Sequence, residues 1–466
     1  MLIGVIGVHD QKLLLPLTQI ARLFYQDAVV QLDQLESCHL VIDLTSTDME
    51  KAQGKYHYLR LFLRALQQET GIIQKWGVLT GVRPTKLWHR QLQMGNTREE
   101  VAKQLQAQYL IQPEKLALLE QIGDKQLTVL PDFHNLNQAV SIYIGIPFCP
   151  TKCAYCTFPA YAIHGHRKQV DEFLNMLIRE IQVIGQWLHE QQVPITTIYF
   201  GGGTPTSISA EQMDKLYQAV ADYFPFSEQV REITVEAGRP DTLTEDRLEV
   251  LKKWKVDRIS INPQSFHGPT LTAIGRHHPA TETIEKFHLA REFGFDNINM
   301  DLIIGLPGEN VQILEQTLAE LSKLDPESIT VHTLAFKRAA EMTLHKDKYP
   351  VADRMEAERM MNLARNWASS HNYAPYYLYR QKNILGNLEN IGYAKPGYES
   401  IYNILIMEEI QTIIGLGCGA ASKFVHSNGK ITRYANPKDP KSYIEHSERY
   451  AEEKLALLNR LRKEML

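Results

Sequence analysis

Three of the chain's five cysteines stand within eight residues, as Cys149, Cys153 and Cys156 in the stretch YIGIPFCPTKCAYCTFPAY. Thiolate sulfur is a soft donor that selects zinc, copper(I) or iron–sulfur clusters. A structural zinc site takes four ligands, usually as two pairs. Here C-x3-C-x2-C supplies three on one loop, with His164 and His166 the nearest further donors, so a Cys3His zinc site is one reading. The other is a [4Fe–4S] cubane, which normally takes four thiolates. Three thiolates leave one iron open, and an open metal position is where chemistry is done. The remaining thiols, Cys38 in SCHLVIDL and Cys418 in GLGCGAAS, read as packing residues.

Other polar and glycine-rich residues fall at regular intervals after the cysteines. GGGTPT, Gly201 to Thr206, is either a flexible turn or a place where backbone approaches a ligand closely. VEAGRPD carries Glu236, INPQSF carries Gln264 with Arg276 twelve residues on, MDLIIGLPGE carries Asp301, and TVHTLAF carries Ala335. Each alone is consistent with a strand-end residue that merely caps a helix. His277 and His278 are either haem ligands or an ordinary surface pair.

The elements that must position these residues follow from hydrophobic patterning. From residue 141, six apolar runs (SIYIGIPF, TTIYFGGGTP, EITVEAG, VDRISINPQS, NINMDLIIGLP, SITVHTLAF) alternate with helical stretches beginning near Val170, Ala210, Thr244, Ala280 and Val311. Strand–helix alternation implies parallel strands with right-handed crossovers, and sites in such folds gather at the carboxyl edge of the sheet. The expected architecture is α/β, a partial (β/α)6 barrel over 141–336. An N-terminal α+β domain spans 1–135, with 131–140 read as a polar linker. A C-terminal α+β extension spans 337–466. A helix start is expected where Asn96 or Thr97 precedes Glu99 and Glu100.

With 44% hydrophobic and 22% charged residues and a net charge of −4, the chain reads as a globular protein with no electrostatic call for nucleic acid. No run is long and apolar enough to span a bilayer. The apolar N-terminus lacks a basic flank and reads as a strand, not a signal peptide. An odd cysteine count with clustered thiols points to a reducing cytoplasm.

C-x3-C-x2-C, with aromatic Tyr155 before the last cysteine, resembles the radical S-adenosylmethionine (SAM) superfamily. Together with GGGTPT, VEAGRPD, INPQSF, MDLIIGLPGE and YAKPGYES it resembles the oxygen-independent coproporphyrinogen III oxidase family over about 141–425. The N-terminal unit and LTGVRPTKLWH are similar to an oxidase-like branch of it. The resemblance implies the partial barrel, a [4Fe–4S] cluster on the three cysteines, and SAM in two copies. Tyr143, Gly202, Glu236, Ala335 and Ala421 would contact the cluster-bound SAM; Tyr155, Gly203, Thr204, Gln264, Arg276 and Asp301 would contact the second. It implies a tetrapyrrole substrate, oxidative decarboxylation of coproporphyrinogen III propionates, and an electron donor such as flavodoxin or ferredoxin. Two positions depart from the family pattern: Phe158 stands where the oxidases carry a fourth cysteine, and Gly145 where they carry a histidine. Related branches include a haem chaperone, which also lacks that cysteine, and a haem-degrading radical methyltransferase.

Overall fold

The computed structural model describes residues 1–45, 54–81, 83–163, 165, 167–225, 229–337 and 339–465, so His164 and His166 of the zinc reading lie outside the described residues. The chain divides into two compact units, Met1–Asp124 with Leu378–Glu389, and Lys125–Tyr377 with Asn390–Leu466.

In the first unit, β1 (Leu2–Ile6) lies between β2 (Val29–Leu32) and β3 (Leu40–Asp43), both parallel to it. Ile3, Val5, Val30 and Ile42 share the buried face that alternation requires. The helix Arg98–Tyr109 begins at the signalled place: Thr97 accepts from the Glu100 amide, and the Glu100 carboxylate accepts from the Thr97 amide at 2.7 Å. The returning segment Leu378–Glu389 is tied in by a buried Lys115–Glu389 ion pair of 2.5 Å, with Trp76 Nε1 donating to the other carboxylate oxygen at 2.7 Å.

The second unit is built on an eleven-stranded sheet. Its strands are β4 (Val140–Ile146), β7 (Ile195–Gly202), β8 (Glu232–Glu236), β9 (Arg258–Ser260), β10 (Ile298–Ile304), β11 (Ser328–Thr333), β12 (Ala374–Tyr379), β13 (Asn390–Ala394), β14 (Thr412–Gly417), β15 (Ala421–Val425) and β16 (Ile431–Ala435). A separate two-stranded piece pairs β5 (Phe148–Cys149) with β6 (Tyr161–Ala162). The spatial order is β12-β13-β11-β10-β9-β8-β7-β4-β14-β15-β16. The six strands read from the sequence, β4 and β7 to β11, are consecutive neighbours and parallel throughout. The crossovers contain α1 (Arg167–Glu190), α2 (Ala210–Tyr223), α3 (Glu245–Lys253), α4 (Ala280–Glu292) and α5 (Val311–Leu324). This is the α/β partial barrel expected.

Both flanks of the sheet come from residues after 337. β14 runs parallel to β4 on its outer side, and β13 runs antiparallel to β11. Every residue of TIIGLG in β14 is buried, as a strand with both faces covered must be. The closing helix α6 (Pro440–Met465) lies on α1, where Trp187 Nε1 donates to Asn459 Oδ1 at 2.7 Å. The polar stretch 131–140, expected as a linker, is instead packed into this unit. Phe133 and Leu136 are buried, and Arg231 grips Asp132 with two hydrogen bonds of 3.1 and 2.5 Å. Apolar residues at those two positions outweigh the polar composition around them. No helix among the described residues is long and apolar enough to cross a membrane.

Candidate functional site

The three cysteines lie on a loop that leaves the carboxyl end of β4 and is closed at its neck. The Tyr161 amide donates to Pro147 O at 2.8 Å and the Ile163 amide to Cys149 O at 3.1 Å, which is the β5–β6 pairing. Inside the loop the Cys156 amide donates to Cys153 O at 3.0 Å. Ala154 is pinned from two sides, donating to Ile274 O at 3.0 Å and accepting from the Met342 amide at 3.1 Å, within an apolar cluster of Leu271, Ile274, Leu306 and Leu334. Cys149 is buried; Cys153 and Cys156 are partly exposed.

The glycine loop after β7 packs on this arrangement. The Gly203 amide donates to Ile146 O at 2.7 Å, and a Cβ on Gly203 would stand 2.5 Å from Phe148 O and 3.0 Å from Cys149 Sγ. Backbone passes this close to the first thiol only because no side chain is present. Thr204 Oγ1 is 3.3 Å from Cys149 Sγ.

Burial pushes the Cys149 thiol up to about 11, with Thr204 and Arg239 opposing it, and burial also raises Cys156. The Cys149 and Cys156 thiols therefore carry protons that a metal would displace. Among the described residues no three His, Cys, Asp or Glu side chains are gathered as a preformed metal site. The donor chemistry nevertheless fits a thiophilic cluster. Three soft sulfurs share one tethered loop, the Gly203 cradle opens beside Cys149, and cations stand by to favour thiolate. Arg239 Nη1 lies 3.9 Å from Cys153 Sγ and donates to Thr151 Oγ1 at 2.9 Å, while Asp241 holds its other edge at 3.0 and 2.8 Å. Arg239 was not singled out from the sequence; its signal is an arginine directly after a strand-end glutamate and glycine, in VEAGRPD.

A second arc follows β9. Gln264 adopts a left-handed backbone at φ 64°, a conformation that costs a non-glycine residue about 1–2 kcal/mol. It is held there by β10, since its amide donates to Asp301 O at 2.9 Å and its carbonyl accepts from the Ile303 amide at 3.1 Å. Its Oε1 is buried without a partner. Arg276, placed by the short helix Gly268–Ala273, is buried and donates from Nη1 to Asn262 O at 2.5 Å and Gly238 O at 3.3 Å, while its Nε is also unpartnered. Desolvation works against the Arg276 charge, but Tyr155 and Cys153 outweigh it and hold the guanidinium protonated. His277 is exposed, but His278 is not the surface residue expected of a histidine pair. It is buried, and burial together with neighbouring Arg276 depresses it to about 4, so it is neutral.

The inner face of the sheet carries a third group. Tyr143 and Tyr199 are register partners on β4 and β7, with near-parallel rings 6.0 Å apart, and Tyr402 stacks on Tyr199 at 4.3 Å. Tyr199 donates to Glu236 Oε1 at 2.5 Å. Burial, reinforced by Asp301, raises Glu236 to about 7. Asp301 is shifted the other way: burial opposes its charge, but hydrogen bonds from His332 (3.4 Å), Asn299 (2.7 Å) and Thr330 outweigh it. Two neighbouring carboxyls thus differ in protonation near neutrality, which is how one pocket holds both an acid and a base. Tyr199, Tyr402 and His332 were missed in the sequence: Tyr199 is set opposite Tyr143 by the β4–β7 register, and His332 lies on β11 two residues after Thr330, the partner of Asp301, pairings that no single segment announces.

Ala335 lies just beyond β11, and Ala421 is the exposed first residue of β15, at the carboxyl end of β14. Every candidate thus sits at the carboxyl edge or on the face leading to it. The two SAM-contact sets separated above interleave: Thr204 touches Cys149, and Asp301 acts on Glu236. Tyr155 and Arg276 share the neighbourhood of Cys153.

Comparison with known proteins identifies the frame. The model of the Radical SAM superfamily matches residues 143–321. The chain is 54% identical to the oxygen-independent coproporphyrinogen-III oxidase-like protein HemZ of Bacillus subtilis, over 99% of this chain and 98% of that protein. It is 33% identical to the heme chaperone HemW of the same organism, over 66% of this chain and 75% of the chaperone. Among solved structures, coproporphyrinogen III oxidase (HemN) from Escherichia coli superposes with a TM-score of 0.54 at 20% identity, covering 70% of this chain and 73% of that one, a likeness of fold.

Proposed function

The chain belongs to the radical SAM family of oxygen-independent coproporphyrinogen III oxidase-like proteins, and from that premise we propose that it oxidatively decarboxylates coproporphyrinogen III. Each round removes a hydrogen atom from the β-carbon of one propionate, then carbon dioxide and one electron, leaving a vinyl group. Two rounds give protoporphyrinogen IX. Cys149, Cys153 and Cys156 would hold a [4Fe–4S] cluster, and SAM would bind against Gly202, Gly203 and Thr204. When bound, these groups supply one-electron reductive cleavage of the sulfonium and the carbon radical that abstracts hydrogen.

The chain's own share is placement and exclusion of water. Arg276 presents polar atoms beside the cysteine loop, and Gln264 does so after β9, where β10 holds its backbone. The Glu236 carboxyl and the Asp301 carboxylate suit ribose hydroxyls or an ammonium group, Asp301 as a fixed anion and Glu236 as a group that exchanges its proton near neutrality. The observation that carries the reading is the pair of buried, unpartnered atoms Gln264 Oε1 and Arg276 Nε on a strained and a tightly braced residue. Unsatisfied buried polar groups are rare in folded proteins, and strain beside them marks a place completed by a ligand.

A haem chaperone is the second reading. It is favoured by Phe158 at the position of the oxidases' fourth cysteine and by the likeness to HemW. The test is anaerobic reconstitution with iron and sulfide, then incubation with SAM, a reductant and coproporphyrinogen III, with chromatography of the tetrapyrroles. The oxidase reading expects vinyl products and 5′-deoxyadenosine. Tight haem binding and transfer to an apo-acceptor without any vinyl product would replace it with the chaperone.

A further inference from the structure

The carboxyl end of β8 sends one cationic side chain into the cysteine loop. Arg239 lies just after Glu236, is only 3% exposed, and has both edges of its guanidinium occupied. Nε and Nη2 donate to the two carboxylate oxygens of Asp241 at 3.0 and 2.8 Å, a two-pronged bond that fixes the plane of the group. Nη1 faces the other way. It donates to Thr151 Oγ1 at 2.9 Å and lies 3.4 Å from Thr151 O and 3.9 Å from Cys153 Sγ. Thr151 Oγ1 in turn donates to Gly275 O at 3.1 Å. The arm between Cys149 and Cys153 is thus tied both to the end of β8 and to the turn after the helix Gly268–Ala273. Asp241 balances the arginine from the edge away from the sulfur, so the cationic edge is the one that meets Cys153.

We propose that Arg239, oriented by Asp241, is a positioning residue for the cysteine loop and sets the reduction potential of the group held there. The brace acts first: with Thr151 gripped by Nη1, the arm that carries Cys153 is fixed before any metal is bound. The charge acts second. Little water surrounds the guanidinium, so its field at the Cys153 sulfur is weakly screened. Net charge and hydrogen bonds at the cysteine sulfurs are what shift the potentials of thiolate-held clusters. One-electron reduction adds a negative charge to the cluster, and a fixed cation stabilises that form over the oxidised one. Arg239 therefore makes the cluster easier to reduce, and Asp241, an anion on the far edge, moderates the effect. The tuning role rests on the radical SAM reading above, whereas the brace is a property of the chain alone.

The experiment uses the full chain, reconstituted anaerobically with iron and sulfide and kept free of SAM. Midpoint potentials are read from the electron paramagnetic resonance signal of the reduced cluster, with dithionite supplying the electron, for the wild type, Arg239→Gln, Arg239→Lys and Asp241→Asn. Arg239→Gln should disfavour reduction by about tenfold, a midpoint lower by about 59 mV for a one-electron couple. Arg239→Lys keeps the charge and should leave the reduction equilibrium within about threefold of the wild type. Asp241→Asn removes the moderating anion and should raise the midpoint. A residue that only held the loop in shape would give no such reversal of sign between Arg239→Gln and Asp241→Asn. In parallel, hydrogen–deuterium exchange of the metal-free proteins follows the Ala154 and Cys156 amides, which are bonded to Ile274 O and Cys153 O. Both amides should exchange severalfold faster in Arg239→Gln and in Asp241→Asn than in the wild type. Equal midpoints in the wild type and Arg239→Gln, or shifts of the same sign in Arg239→Gln and Asp241→Asn, overturn the tuning role. Should Arg239→Gln take up no iron, Asp241→Asn against the wild type decides, a raised midpoint supporting the role and an equal one overturning it. Unchanged exchange at both amides overturns the brace. A wild type that assembles no iron–sulfur cluster overturns the radical SAM reading, and the tuning role with it, while the exchange data still decide the brace.

Discussion

Lys454→Met would strip the cation from a fully buried ion pair. Lys454 on α6 and Glu180 on α1 are both fully inaccessible and in direct hydrogen-bonded contact. Glu180 also accepts from the Gly417 amide at 2.8 Å, the Tyr443 hydroxyl at 2.6 Å and Asn436 Nδ2 at 3.3 Å. Lys454 donates further to Gly415 O at 2.8 Å. Burial pulls the Lys454 ammonium down and Glu180 pulls it back, so the charge survives only while its partner is there. Removing one member of such a pair leaves an uncompensated buried charge and costs about 3–5 kcal/mol. Glu180→Gln with Lys454→Met leaves no bare charge, so the double variant should be more stable than the sum of its parts by about 2 kcal/mol or more. The consequence reaches the site, because Gly417 pairs with Gly145 on β4, four residues before Cys149. Urea unfolding of the four proteins of the cycle measures the coupling, and iron retained after anaerobic reconstitution measures the reach. A single variant costing under about 1 kcal/mol, or a strictly additive double variant, would refute the account of this pair as a mutually dependent brace.

Cys149→Ala, Cys153→Ala and Cys156→Ala should each lose most bound iron, whereas Cys38→Ala, whose thiol is spent on Gln34 O at 3.4 Å in the other unit, should keep it; stoichiometric zinc without sulfide in anaerobically purified protein would refute this. Arg276→Ala should lower vinyl-product formation while sparing iron content, since a hydrogen bond to a charged group contributes about 1.5–3 kcal/mol, or about ten- to a hundredfold in rate; turnover within twofold of wild type would count against Arg276 as a ligand contact. Burial raises Glu309 to about 7 in the folded state despite its bonds from Ser265 and Thr270. The folded protein therefore binds more protons than the unfolded chain, and this carboxyl's contribution weakens as pH rises from its ordinary range through 7. Glu309→Gln should flatten that loss, seen as a melting midpoint that falls less than the wild type's between pH 5 and 8; parallel curves would contradict the assignment.

The barrel was legible because its signals are local and repeated. Each of the six strands is a short apolar run ending in polar or glycine residues, and α2 opens with its own cap, Ser209 accepting from Gln212 at 3.2 Å. The cysteine loop was legible because spacing alone defines it. What could not be read is non-local. The β14 strand joins β4 across more than 260 residues, and nothing in TIIGLG names its partner. The Glu180–Lys454 pair spans 274 positions, and each residue taken alone reads as an exposed helical charge. His278 shows the same limit, since its burial is imposed by the residues packed around it rather than by its own segment.

The two departures from the family pattern acquire physical occupants in the fold. A Cβ at Gly145 would stand 2.8 Å from Cys418 O and 3.5 Å from Ala420 Cβ, so the space a histidine would enter is filled by the turn after β14. That turn also presses on the cysteine loop from the far side, where a Cβ on Gly419 would meet Pro159 at 2.5 Å. Backbone of the GLGCGA turn thus occupies the space that a side chain at Gly145 would need. Phe158 is the opposite case: it is 57% exposed, with Lys337 Nζ 5.8 Å from its ring centre, so two residues after the third cysteine its side chain lies largely at the surface. Phe158→Cys should therefore leave the iron content of the reconstituted protein at the level set by the other three thiols; a gain of iron would mean that position 158 faces the cluster.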